Sequence, residues 1–86
     1  MSKAAAELKV IAPGLGDGIE KAVVACWHKS PGDKVSAEDD LAELVTDKAV
    51  FNIPAGAEGT VQEICFQAGQ QVQIGDTLAI IKTDHD

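Results

Sequence analysis

Arginine is absent from this chain of 86 residues: all seven basic residues are lysines, set against fourteen acids for a net charge of −7. Such a surface repels a phosphate backbone and offers no planar guanidinium to clamp it, so nucleic-acid binding is excluded as a function class. Long apolar runs are missing too. No stretch approaches the roughly 20 residues of a membrane-spanning helix. The opening Met1-Ser2-Lys3-Ala4-Ala5-Ala6-Glu7 lacks the apolar core of a secretory signal. The expectation is a soluble chain of a reducing compartment, the cytoplasm or, in a eukaryote, the mitochondrial matrix, with no membrane partner. Cysteine is scarce, and Cys26 and Cys65 are too few for a disulfide framework. A zinc site would draw on Cys26, His28, Cys65 and His85, but there is no Cys-x-x-Cys pair and the spacing does not suit. The expectation is free thiols and no metal.

What the chain does have is punctuation. A domain this small buries roughly 60–65% of the surface its unfolded chain exposes, which leaves no room for both a deep cleft and a full core. After a lead-in over residues 1–7, read as disordered, short β-like runs cover 8–12, 22–29, 41–46, 49–53, 60–67 and 77–82. Turn signals separate them at Pro13-Gly14, Ser30-Pro31-Gly32-Asp33, Ala55-Gly56, Ala68-Gly69 and Gly75-Asp76. Regularly spaced short strands argue for an all-β sandwich or flattened barrel. Residues 8–83 are assigned to one domain and 84–86 to a tail or the start of a linker.

The stretch Ser36–Val45 opposes this reading. Ser36 suits a helix N-cap, Asp39 follows three residues later, and Leu41, Leu44 and Val45 would form an apolar stripe. An internal repeat decides against helix. Shifted by 37 positions, Pro31–Lys48 falls on Ala68–His85 with seven identities in 18 pairs, among them Gly32/Gly69, Asp39/Asp76, Leu41/Leu78 and Thr46/Thr83. The later copy has Gly75 early and β-branched residues late, which favours a turn and then a strand. If both halves share one fold, residues 41–46 are a strand as well. Upstream, Val24 and Trp27 match Val61 and Ile64. Their three-residue step breaks alternation and predicts a β-bulge near Ala25-Cys26 and Gln62-Glu63. Pro13 and Pro54 lie 41 apart, which suggests four extra residues in an enlarged loop at Gly14-Leu15-Gly16-Asp17-Gly18. That loop is not a phosphate cradle: Ile19 stands where the third glycine belongs, and a strand follows where a helix is needed.

Asp47-Lys48 sits between two of these strands, so a hairpin would place the lysine at an exposed apex. Neither residue favours positive φ, so a type I turn is expected rather than a primed one. The bland alternative is an ordinary solvated turn lysine. The candidate acid–base residues His28 and His85 are not organised with a nucleophile, and His28 reads as an outward strand residue beside Trp27.

The run Pro31-Gly32-Asp33…Val35…Asp39-Asp40-Leu41-Ala42-Glu43…Thr46-Asp47-Lys48-Ala49…Ile53-Pro54-Ala55…Gly59-Thr60-Val61…Gly69…Val72…Gly75-Asp76…Leu78-Ala79 resembles the lipoyl domains of 2-oxo acid dehydrogenase complexes, within the biotinyl/lipoyl attachment family. The resemblance covers about residues 8–83. It implies a flattened barrel of two four-stranded antiparallel sheets with pseudo-two-fold symmetry. It further implies covalent lipoic acid on Lys48, Asp47 and Ala49 as recognition flanks, and partner contacts from the loop Gly14, Leu15, Gly16, Asp17 and Gly18. The implied partners are a lipoate-attaching enzyme, a 2-oxo acid decarboxylase, an acyltransferase core and dihydrolipoyl dehydrogenase. The chain itself would be a non-catalytic carrier domain, monomeric in isolation and cut from a longer dihydrolipoyllysine acyltransferase. One departure is Val45, where many relatives have glutamate.

Two rivals remain. A biotin carrier shares the duplicated barrel, but its acceptor sits in a Met-Lys-Met context, and the only methionine here is Met1. The other is an unmodified interaction module. The expected core is Val24, Trp27, Val35, Leu41, Leu44, Ile53, Val61, Ile64, Phe66, Val72, Leu78 and Ile80.

Overall fold

A computed structural model of the chain describes residues 6–16 and 18–83. Eight strands run β1 (Ala6–Ile11), β2 (Lys21–Trp27), β3 (Lys34–Val35), β4 (Asp40–Val45), β5 (Val50–Pro54), β6 (Gly59–Ile64), β7 (Gln71–Gln73) and β8 (Thr77–Thr83), with no helix among the described residues. They form two four-stranded antiparallel sheets, in the orders β1-β8-β6-β3 and β5-β4-β2-β7. Each half of the chain supplies two strands to each sheet, and equivalent strands occupy equivalent places. The expected all-β sandwich of two four-stranded sheets is what forms.

The repeat explains why these residues make these elements. Asp39 and Asp76 each accept, through a carboxylate oxygen, the N–H three residues back: Ser36 N–H at 2.9 Å and Gln73 N–H at 2.9 Å. This is half of a helix capping box used in a turn, which is why Ser36–Asp39 carried a helix signal. The chain then extends into β4 and β8. Gly32 (φ 95°) and Gly69 (φ 93°) turn the chain at matched points in a left-handed conformation that a Cβ would oppose. The sequence reading had no strands at β3 and β7, because two and three residues are too short for an alternation to show.

The bulges also come in pairs. Pairing jumps from Val24 to Cys26 in β2 and from Val61 to Glu63 in β6, as the broken alternation predicts. A second pair places Leu41 and Leu78 as extra residues opposite β5 and β1. These let two consecutive residues face inward, so Leu41-Ala42 and Leu78-Ala79 are all buried. They also correct one core assignment: after the bulge it is Ile81, not Ile80, that points in, and Ile81 is fully buried. Trp27, Ile64 and Phe66 are half-buried and pack against the edge of the core.

The strand register also corrects two boundaries. Val10 opposes Ala79 and Ile53 opposes Ala42, so Val10 and Ile53 are equivalent and lie 43 apart. The first half therefore carries six extra residues between its first two strands, not four. The prolines misled because Pro54 ends β5 while Pro13 lies two residues beyond β1. Strand β1 also starts at Ala6, so Ala6 and Glu7 belong to the sheet rather than to the lead-in, paired with Thr83 and Lys82. The rest of that lead-in (residues 1–5) and the tail 84–86 lie outside the described residues.

Candidate functional site

Strand β4 ends at Val45 and β5 begins at Val50, leaving Thr46-Asp47-Lys48-Ala49 as the connection. Thr46 organises it. Its N–H donates to the Ala49 carbonyl at 2.9 Å, closing the hairpin. Its Oγ1 accepts the N–H groups of Lys48 and Ala49, both at 3.1 Å, and also lies 3.3 Å from the Ala49 carbonyl as a donor. The threonine side chain thus does what a backbone carbonyl does in an ordinary turn. No non-glycine residue among those described has positive φ, so a primed turn is not used, as expected.

Asp47, Lys48 and Ala49 are all exposed. Among the described residues Lys48 has no hydrogen bond or ion pair to its ammonium group. The amine can therefore take a substituent without breaking a polar contact to any described residue. Thr46→Val keeps the shape and removes the acceptor. It is expected to cost about 0.5–1.5 kcal/mol by urea unfolding and to speed amide hydrogen exchange at Lys48 and Ala49.

Beside the apex is an open groove of about 770 Å³, whose lining includes Lys48, Asp47, Thr46 and Val45 on one side and Gly18–Val23 on the other. Of the loop expected to contact partners, only Gly18 reaches it. Gly14, Leu15 and Gly16 do not line it, and Leu15 packs half-buried against the core. Asp17 lies outside the described residues. The six-residue insertion between β1 and β2 thus approaches the lysine through its later part, Gly18 to Lys21, because β2 pairs with β4 at Val23 and Val45.

That pairing creates a surface the sequence did not reveal. Val23 opposes Val45 and Val45 opposes Val50, so three valines form a row across three strands next to the apex. Val23 is 40% and Val50 59% exposed. The signal was the alternation of β2 with β4, but only the register shows that the three side chains share a face.

The far end of the molecule is different. Thr83, the last described residue, lines a second groove with Ser36 and Ala57. That groove lies by the start of β4, where Asp40 opposes Pro54 and Ala55 N–H donates to the Asp39 carbonyl at 2.8 Å. Lys48 follows the other end of β4. The described chain end and the lysine are therefore at opposite ends of the domain.

Of the residues considered for metal binding, Cys65 follows β6 in the first sheet while Cys26 lies in β2 of the second, and both are free thiols. Partial desolvation, with the Glu63 carboxylate adding to it, pushes the Cys65 thiol up and disfavours its thiolate. His28 is exposed, as read, and its Nε2 lies 3.0 Å from Glu43 Oε2.

Comparison with known proteins gives a consistent result. Residues 8–81 match the family described as "Biotin-requiring enzyme", of the biotin/lipoyl type. A lipoamide acyltransferase component of the branched-chain alpha-keto acid dehydrogenase complex of Bacillus subtilis is 35% identical over 72 residues, covering 84% of this chain and 17% of that protein. The chain spans less than a fifth of the length of the curated relatives it matches. The lipoyl domain of the 2-oxoglutarate dehydrogenase complex of Azotobacter vinelandii, a solution structure, superposes with a TM-score of 0.72 at 32% identity, covering 92% of this chain and 99% of that one. The urea carboxylase of Kluyveromyces lactis shares the fold (TM-score 0.76) at 20% identity, over 94% of this chain and 7% of that one.

Proposed function

The chain belongs to the family of biotin- and lipoyl-carrying domains, as a lipoyl domain of the 2-oxo acid dehydrogenase kind, and from that membership we propose that Lys48 is its lipoylated residue. The observation that carries the assignment is the exposed amine at the apex of the Thr46-clamped β4–β5 hairpin. The residues fit the group: the ammonium has no partner among the described residues to give up, and an open groove lies beside it.

A domain of this kind is a carrier and does not catalyse by itself. Lipoic acid, when bound, supplies a strained disulfide that takes up an acyl group together with two electrons and is later reoxidised from its dithiol form. The chain's own contribution is mechanical and electrostatic. The two sheets form a rigid mount, the threonine clamp fixes where the arm departs, and Asp47 and Ala49 frame it for recognition by the attaching enzyme. That enzyme must bring an activated lipoyl or octanoyl donor, since a carboxylate does not condense with an amine unaided.

The proposed working partners are a 2-oxo acid decarboxylase, the acyltransferase core and dihydrolipoyl dehydrogenase. Their contact surface is read as the groove from Gly18 to Val23 with the Val23–Val45–Val50 row, rather than the whole loop 14–18. Attachment of the far end to a larger assembly keeps the arm at high effective concentration near each active site, so weak contacts suffice.

Intact-mass measurement after co-expression with a lipoate-attaching enzyme tests the assignment. One lipoyl group is expected per chain, and none of biotin when a biotin-attaching enzyme replaces it. Biotin uptake, or an unchanged mass in both arms, defeats the reading.

A further inference from the structure

The outer face of the second sheet holds a donor set that acyl carriage does not use. Cys26 and His28 are two residues apart on extended chain, so their side chains leave the same face. The bulge in β2 selects that face. Val24 pairs with Leu44, and the next pair is Cys26 with Glu43. Without the extra residue Ala25 would stand opposite Glu43, and Cys26 would turn toward the interior.

His28 lies one residue past β2, yet its N–H donates to the Leu41 carbonyl at 2.7 Å and keeps it in line with the strand. Trp27, between the two, packs the other way and donates Nε1–H to the Phe66 carbonyl at 2.7 Å, which holds the segment straight. A thiol, an imidazole and a carboxylate result, with donor atoms all within 4.8 Å of one another.

The geometry points to a binding site for one divalent transition-metal ion of the zinc type, held by Cys26 Sγ, a ring nitrogen of His28 and a Glu43 carboxylate oxygen, with a fourth position open to water. Sulfur, nitrogen and oxygen donors of this kind suit Zn²⁺ or Co²⁺ and not the hard cations Mg²⁺ or Ca²⁺. Tetrahedral coordination with bonds of about 2.0–2.3 Å puts donors roughly 3.5 Å apart. His28 Nε2 and Glu43 Oε2 are already 3.0 Å apart, no donor pair is wider than 4.8 Å, and none of the three side chains is fully buried. On binding, the Cys26 thiol gives its proton to solvent.

The duplicated half shows that the cluster is not a by-product of the architecture. The positions 37 residues later are Glu63, Cys65 and Ile80, so the third donor there is an isoleucine. A search by cysteine and histidine spacing misses the site because Glu43 joins it only through cross-strand register.

Lys48 takes no part, so the test is independent of lipoylation. Titrating the reduced, unlipoylated chain with Co²⁺ is expected to give a thiolate-to-cobalt charge-transfer band that saturates at one equivalent and is displaced by Zn²⁺. Cys26→Ser abolishes the band, and Cys65→Ser leaves it unchanged. His28→Ala and Glu43→Gln weaken binding by at least the roughly 10–100-fold that even outer partners of a metal site command. Circular dichroism verifies that each variant is folded. A band that never saturates, one that survives Cys26→Ser or disappears in Cys65→Ser, or unchanged affinity in Glu43→Gln overturns the site.

Discussion

Lys48→Ala is expected to abolish lipoylation, and with it acyl transfer from a 2-oxo acid decarboxylase, while leaving the urea midpoint unchanged within error. The stability half of this prediction rests on contacts. Lys48 is exposed, and its side chain has no polar partner among the described residues. Its N–H, which Thr46 Oγ1 holds at 3.1 Å, survives the substitution, so the turn keeps its clamp. Substitutions at such positions usually shift stability by less than about 0.5 kcal/mol. The functional half is all-or-none under the proposed assignment, in which Lys48 is the one covalent anchor. Lys21 is the sharpest internal control, since it lines the same groove. If mass analysis of Lys48→Ala still shows one lipoyl group, and peptide mapping places it on Lys21, the attaching enzyme recognises the groove rather than the apex. Lys48→Arg separates charge from chemistry: it keeps the cation and is expected to be as inactive as alanine.

How much of this was legible in the sequence depends on whether a feature is local. The turns at Ser36–Asp39 and Gln73–Asp76 and the left-handed glycines Gly32 and Gly69 each depend on neighbours within a few residues. Their repetition 37 residues apart was enough to choose strand over helix for 41–46. The bulges at Ala25 and Gln62 showed as a broken alternation within single strands. What escaped the reading is set by pairing between strands. Ile80 looked like the core residue because it follows Leu78 by two, and only the extra residue opposite β1 hands that place to Ile81. The insertion measured six residues rather than four for the same reason: Pro13 and Pro54 look equivalent in sequence but not in register.

The apex itself was legible, but its surroundings were not. Asp47-Lys48 lies between two obvious strands, so its exposure follows from local geometry. The Thr46 clamp repeats at Thr83 in sequence, yet a threonine at a strand end carries no mark of which way its hydroxyl points. The valine row and the Cys26–His28–Glu43 cluster each need two strands set side by side. One-residue slips would scatter both, because successive side chains on a strand alternate faces.

Leu44→Ala and Ile81→Ala are expected to be the most damaging single substitutions, each lowering stability by about 2–5 kcal/mol. They are mirror positions, 37 apart, and both have zero exposure. Trp27 and Phe66 are the larger side chains and the anchors a reading of the sequence would choose. Both are only half-buried, so truncating them leaves less of a cavity, although Trp27→Ala also removes the hydrogen bond to the Phe66 carbonyl. Native stability amounts to about 0.05–0.15 kcal/mol per residue, or about 4–13 kcal/mol for a domain of this length, so either substitution removes a large share of it. Urea unfolding followed by Trp27 fluorescence measures both. Comparable losses at the two positions mean that the duplicated halves share the core equally. A large loss at Leu44 with none at Ile81 would show that the second half is stabilised by something other than its mirror packing.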